Sequence, residues 1–406
     1  MKKKFLCTVL CAALVLTLCP TALAADTTTV RYLGLTGAQR LVQEQNPTLR
    51  ALKKTIAGAD TSSDIQSGYN MQGAGLESQI ASYESMIESL EAAVKQLGDS
   101  DSALKQTYEQ QMRLLKATLS SLKSSLDSLP AESEGVVSSV DDMVYSLKKQ
   151  AENLEKQLCM SAQTSLITLQ RFENSKDSLA RQIESQKREI TVLETKLACG
   201  MVSQLTVENA KLQLSNTEQS LRTLESQCDS LSRNLALLCG CDSNTVIEPS
   251  GVSTVSDAAL RSMNYDKDLE SALANSHSIW QKQDALRSAK NAYDRNISGT
   301  AEAVQSAEHE LEATRESVRS SFLSAYQTVG AKKTELQAAK TELEQAGRTL
   351  ETNRQKYACG MLSQMDYRNA EDAYAAAEDA VQTAELELLS AYTQYSWAVQ
   401  GVMAGA

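Results

Sequence analysis

Thirteen residues, Ala198 to Ala210, return 160 positions later as Ala358 to Ala370 with eight identities, and no other feature constrains the fold of this 406-residue chain as strongly. Each copy carries a glycine, Gly200 or Gly360, inside an otherwise unbroken stretch of apolar-periodic sequence. Such a glycine marks a helix end or a tight turn. The same turn between two long helices therefore occurs twice, and the chain reads as a duplicated helical hairpin whose tip kept its sequence more closely than its arms.

Proline works as punctuation, because it breaks helix interiors and favours first turns and flanks. After the leader discussed below only Pro47, Pro130 and Pro249 remain, and they bound two proline-free stretches, each holding one tip. Within the second stretch Phe322, Val329, Leu336, Leu343, Leu350 and Tyr357 recur every seven residues up to the tip. That spacing keeps one apolar seam along a long helix, as in a coiled coil. Beyond the tip, Ala370, Ala377, Ala384, Ala391 and Ala398 form a small-residue row beside the larger Tyr374, Val381, Leu388 and Tyr395, which lets two helices approach closely. The first stretch runs similarly, with Ile183, Ile190 and Leu197 before its tip and Leu214, Leu221, Cys228 and Leu235 after it. The predicted arms, 136–198 and 301–358, are too long for a compact single-core domain and must lie side by side.

A shorter helix precedes each long arm. Leu41 to Pro47 in the first copy corresponds to Leu273 to Ser276 in the second, at an offset that leaves about 69 surplus residues in copy one. The surplus is helical: Leu76, Ile80, Tyr83, Ile87, Leu90, Val94 and Leu97 alternate spacings of four and three, as do Leu115, Leu119, Leu122, Leu126 and Leu129. This predicts an inserted helical hairpin at 76–129 with Gly98 to Asp101 at its turn, approached through a flexible segment at 61–75. Strand signals are nearly missing, and Thr245 to Val255 around Pro249 reads as the linker between copies. The predicted class is all-α, an elongated bundle organised as a first repeat at 25–248, carrying the insertion, and a second repeat at 249–406.

Lys2 to Lys4, an apolar run from Phe5 to Leu18 and the small-x-small Ala22-Leu23-Ala24 read as a signal peptide, residues 1–24, with the mature chain beginning at Ala25. Its removal takes away three Lys and moves the formal charge from -11 to about -14, which argues against nucleic acid as a partner. Six cysteines remain, Cys159, Cys199, Cys228, Cys239, Cys241 and Cys359, without a CxxC pair; with only His277 and His309 as further ligands they describe no metal site. No cofactor motif occurs, and His309 in Ala307-Glu308-His309-Glu310 lacks the second His of a zinc-binding helix, position 313 being Ala. Catalysis needs a preorganised pocket with convergent groups, and elongated bundles offer few, so no enzymatic activity is expected.

The duplicated Gly-hydrophobe-x-Ser tip, the long proline-free arms and the lead-in helix with Asn46-Pro47 resemble the TolC family of outer membrane efflux proteins over almost the whole mature chain. The resemblance implies a homotrimer in which two hairpins per chain build a tunnel, with tips that meet a periplasmic adaptor of an efflux pump. By position the adaptor-facing tips are Cys199, Gly200, Met201, Val202, Ser203 and Gln204, and Cys359, Gly360, Met361, Leu362, Ser363 and Gln364. Asp366 falls where the family carries an acid that narrows the tunnel mouth, and Asn369 replaces the next such acid. Asp366 is equally well read as a helix N-terminal acid favoured by the dipole. The family's paired membrane strands have no counterpart: the first location holds the helical insertion and the second shrinks to Asp294 to Thr300.

Two functions follow as expectations. One is an exported, envelope-located efflux or secretion component, associated with an outer membrane where the organism has one. The other is a secreted coiled-coil scaffold or binding protein of the cell envelope that has lost transport.

Overall fold

The computed structural model describes residues 29–61, 69–97, 102–127, 133–242, 244–252, 254–294 and 300–403. The predicted leader and the insertion's turn, 98–101, lie outside them. Strand β1 (Thr29–Leu33) is followed by α1 (Leu35–Gln45), α2 (Pro47–Thr61), α3 (Tyr69–Leu97) and α4 (Ser102–Asp127). The first long hairpin is α5 (Ser133–Ala198) and α6 (Gln204–Leu238). Strand β2 (Thr245–Pro249), α7 (Asp257–Ser262), α8 (Tyr265–Asn275) and α9 (His277–Asp294) lead into the second, α10 (Ala301–Ala358) and α11 (Gln364–Val399). At 1.5 Å per residue α5 runs about 100 Å and α10 about 87 Å. The all-α expectation holds apart from one small sheet.

That sheet corrects the sequence reading. Residues 245–249 are a strand rather than part of a linker, paired in parallel with β1 in the register Thr29 to Thr245 through Leu33 to Pro249. The pairing is clamped from α6, where the buried Ser232 Oγ donates to the Ile247 carbonyl and accepts from its N–H, each at 2.7 Å. Helix α3 also begins earlier than expected, at Tyr69, and absorbs Gly73 and Gly75 of the segment read as flexible.

All four descending or ascending arms end alike. Gly200, Gly240, Gly360 and Gly401 have φ between 70° and 83°. In each case the glycine N–H donates to the carbonyl three residues back, and the next N–H donates to the carbonyl five back, as in Gly200 to Leu197 and Met201 to Lys196, both 2.8 Å. This satisfies carbonyls that a helix end leaves without partners, through a left-handed residue that only glycine adopts cheaply.

The basal pair of glycines also permits close approach. A Cβ on Gly240 would lie 2.3 Å from the Gln45 carbonyl oxygen, and one on Gly401 would lie 2.2 Å from that of Asn275. Both touch the break between two lead-in helices. At the first break the buried Asn46 donates from Nδ2 to the Leu238 carbonyl at 2.8 Å and accepts from the Leu49 N–H at 3.0 Å, capping α2 while completing the end of α6. At the second, two residues share these duties: Asn275 donates to the Val399 carbonyl, and Ser276 accepts from the Ile279 N–H.

The core occupies the basal half, around Leu49, Leu158, Ala162, Leu166 and Leu235 in the first repeat and Phe322, Val329, Leu388 and Tyr395 in the second. In the second hairpin burial fades toward the tip, whereas the first keeps Ile183, Ile190 and Val207 buried close to its own. Along the seven-spaced row of α10, Phe322 and Val329 are buried, Leu336, Leu343 and Leu350 half-buried, and Tyr357 exposed. The inserted α3 and α4 pack on α2 and α5, with Tyr83, Met86, Leu90, Leu115 and Leu122 joining the main core.

Gly240→Ala and Gly401→Ala are expected to cost well over 2 kcal/mol, because left-handed strain adds to collision with backbone. Gly200→Ala and Gly360→Ala, with nothing within 4 Å of the added carbon, should cost only the conformational penalty of about 1–2 kcal/mol. Denaturant unfolding of the four variants separates the pairs.

Candidate functional site: the paired hairpin tips

Both tips lie at one end of the molecule. Helices α5 and α11 run antiparallel in one register, fixed near the base by Trp397 Nε1 donating to Gln163 Oε1 at 2.8 Å. Farther along, Arg181 pairs with Asp379, and closest to the tips Arg188 pairs with Asp372 at 2.8 Å, where Ser185 also donates to Asp372. The turn after α5 and the turn before α11 are thereby brought side by side.

Each tip is built the same way. After the left-handed glycine, Ser203 or Ser363 caps the returning helix by accepting the N–H of Thr206 at 3.2 Å or of Asp366 at 3.1 Å. Between glycine and serine stand an outward methionine and a residue that folds back. Met201 and Met361 are 74% and 72% exposed, whereas Val202 and Leu362 are half-buried. Gln204 and Gln364 begin the helices, exposed, with Gln204 donating to Glu208 at 3.1 Å. The result is two adjacent, chemically matched knobs of sulfur and apolar surface.

Asp366 is exposed in the first turn of α11, where its carboxylate accepts from Ser363 Oγ at 2.6 Å. A negative charge is favoured there by the helix dipole. Asn369 is exposed about one turn further along the same helix. Leu205, 63% exposed, adds to the first knob and was not singled out from sequence; its signal is an apolar residue at the same place of both echoes, matched by Met365. The stack of Tyr357 on Tyr367, 5.1 Å between ring centroids and nearly parallel, closes the second hairpin just below its tip.

The cysteines divide by place. Cys199 and Cys359 are exposed at the tips, Cys241 is intermediate, and all six described cysteines are free thiols. Burial pushes Cys159 and Cys239 up to about 12 and Cys228 up to about 11. The thiolate is the reactive form, so these three stay inert.

Two measurements follow. A maleimide applied to the native chain should label Cys199 and Cys359 first, and spare Cys159, Cys228 and Cys239 until denaturant is added, as read by peptide mass spectrometry. Ser203→Ala with Ser363→Ala should cost about 0.5–2 kcal/mol per cap and speed amide exchange in the first turns of α6 and α11.

No family profile and no curated protein matches the sequence. Among solved structures, the fold is similar to that of the CusC transmembrane channel over 87% of this chain and 96% of that one, with a TM-score of 0.50 and 12% identity. The outer membrane protein VceC of Vibrio cholerae matches over 66% of this chain and 75% of its own, with a TM-score of 0.48 and 14% identity. The outer membrane channel CmeC of Campylobacter jejuni matches over 65% and 67%, with a TM-score of 0.43 and 13% identity. No helix among the described residues is long and apolar enough to cross a membrane. Duplicated hairpins, lead-in helices and tips together give this chain the helical fold of TolC-like outer membrane channels.

Proposed function

We propose that the chain is an exported component of an envelope efflux or secretion system, in which three copies close a helical tunnel that docks on an adaptor through its paired tips. The observation that carries this reading is the presentation of two matched knobs, at one end of an elongated bundle, with apolar side chains turned to solvent. Exposed apolar groups of this kind mark contact surfaces when they are grouped.

The internal duplication supports a choice of faces for joining the copies. The 160 residues between the tips carry α5 onto α10, and α11 back onto α6. The buried pair Gln163 and Trp397 becomes Leu323 and Leu237, which are 40% and 47% exposed in the single chain. Two leucines left open at the positions of an internal seam support a second copy repeating that seam between chains. Leu237 also lines a groove of about 790 Å³ formed with α2, α3 and α4. Asp366 and Asn369 then lie near the tunnel mouth as constriction candidates.

Replacement of both Gly200 and Gly360 by Trp should abolish copurification with an adaptor-like partner while leaving the oligomer intact. Light scattering on the native chain should give a trimer, and Leu237→Glu or Leu323→Glu should shift it toward monomer. A native monomer or antiparallel dimer supports the scaffold reading instead, and unchanged copurification of the double glycine variant removes the tips from the mechanism.

A further inference from the structure

A residue of the inserted hairpin and a residue of the second repeat line the same buried polar cavity. Gln111 of α4 is 1% exposed, and neither its Oε1 nor its Nε2 has a hydrogen-bond partner. His277, the first residue of α9, has a buried Nε2 in the same condition. The two side chains line one cavity of about 20 Å³, where Gln150 and Asn153 of α5 supply further polar lining and Leu52 and Tyr83 close the sides. Gln150 is held in place by accepting from Thr118 of α4 and donating to Ser146.

A buried donor or acceptor without a partner is costly, and native structures satisfy nearly all of them. A water molecule needs roughly 10–15 Å³ of such volume and two to four polar partners. This cavity meets both requirements and is too small for a larger ligand. We propose that it is a binding site for one water molecule, which bridges Gln111 of the inserted hairpin to His277 of the second repeat and makes their docking acid-sensitive.

The acid dependence follows from what surrounds the imidazole. Burial pushes His277 from 6.5 down to about 4, with Lys149 and Lys156 adding to the effect and Glu152 opposing it. These three charged groups come from α5. Tyr83 of α3 lines the same cavity with a phenol that burial pushes up and keeps neutral. The α2 and α4 lining is uncharged, being Leu52, Gln111, Leu114 and Leu115. On its own helix His277 stacks on Trp280 at 5.3 Å. The imidazole is therefore neutral at pH 7 and offers a lone pair to the water. When the hairpin lifts away, His277 regains water, its value rises from about 4 toward the ordinary one, and it takes a proton more readily than in the docked state. Docking is complete above pH 6.5 and weakens as pH falls toward 4, below which the dependence levels off.

The test uses the full chain and hydrogen exchange followed by mass spectrometry, with protection corrected for intrinsic rates. Between pH 7.5 and pH 4.5, α3 and α4 should lose protection about tenfold or more, while α10 and α11 do not. His277→Gln, which keeps a polar group without a titration, should erase the difference; His277→Asn serves if that variant fails to fold. A crystal structure should place one ordered water within about 3.2 Å of both Gln111 and His277. Direct contact between the two side chains, a dry cavity, or acid loosening that persists in His277→Gln overturns the proposal.

Discussion

A helix can end only where its last carbonyls find donors and its chain finds room to turn, and here four left-handed glycines meet both conditions at the ends of four long arms. Two of them, Gly200 and Gly360, turn in open space and form the tips. The others, Gly240 and Gly401, turn against the backbone of Gln45 and Asn275, so that each returning arm is pinned on the break in its own lead-in helix. Fixing both ends sets the register of everything between them. The seam of α5 on α11 and the placement of the tips side by side follow from it.

Between those ends the adhesive changes along the bundle. Near the base, apolar side chains such as Phe322, Leu166 and Leu235 are fully buried, and each such side chain contributes roughly 1.5–3 kcal/mol on burial. Toward the tips the links between α5 and α11 are ion pairs, Arg181 with Asp379 and Arg188 with Asp372, whose side chains are 21–49% exposed. Partners this wet contribute about 1 kcal/mol or less each. The two hairpins are therefore firmly joined at the base and weakly above, where rows such as Leu336, Leu343 and Leu350 stay half-buried.

Much of this was legible in the sequence, for identifiable reasons. The tip glycines announced themselves because their neighbours are repeated, and the arm lengths followed from the absence of proline. The basal glycines escaped notice although they obey the same geometry, because Leu238-Cys239-Gly240 and Val399-Gln400-Gly401 share only the glycine. Strand β1 is only five residues long, too short for a sustained pattern, and β2 was read as part of the linker around Pro249, a residue that an edge strand tolerates. Helix α3 starts early, running through Gly73 and Gly75 despite their low helix propensity. The cavity shared by Gln111 and His277 had no sequence signal at all, since only the folded chain brings these two residues to one place. At the tips the repeated residues were legible, while the bond from the Asp366 N–H to Ser363 Oγ that caps α11 needed coordinates.

The parallel pairing of β1 with β2 has a consequence for the order of assembly. Thr29 and Thr245 are separated by 216 positions, so the ribosome delivers the first strand long before its mate exists. Unlike a hairpin, this ladder cannot zip locally, and its closure carries the entropic cost of a very large loop. The first repeat is thus latched by this sheet only after both of its long arms have been made.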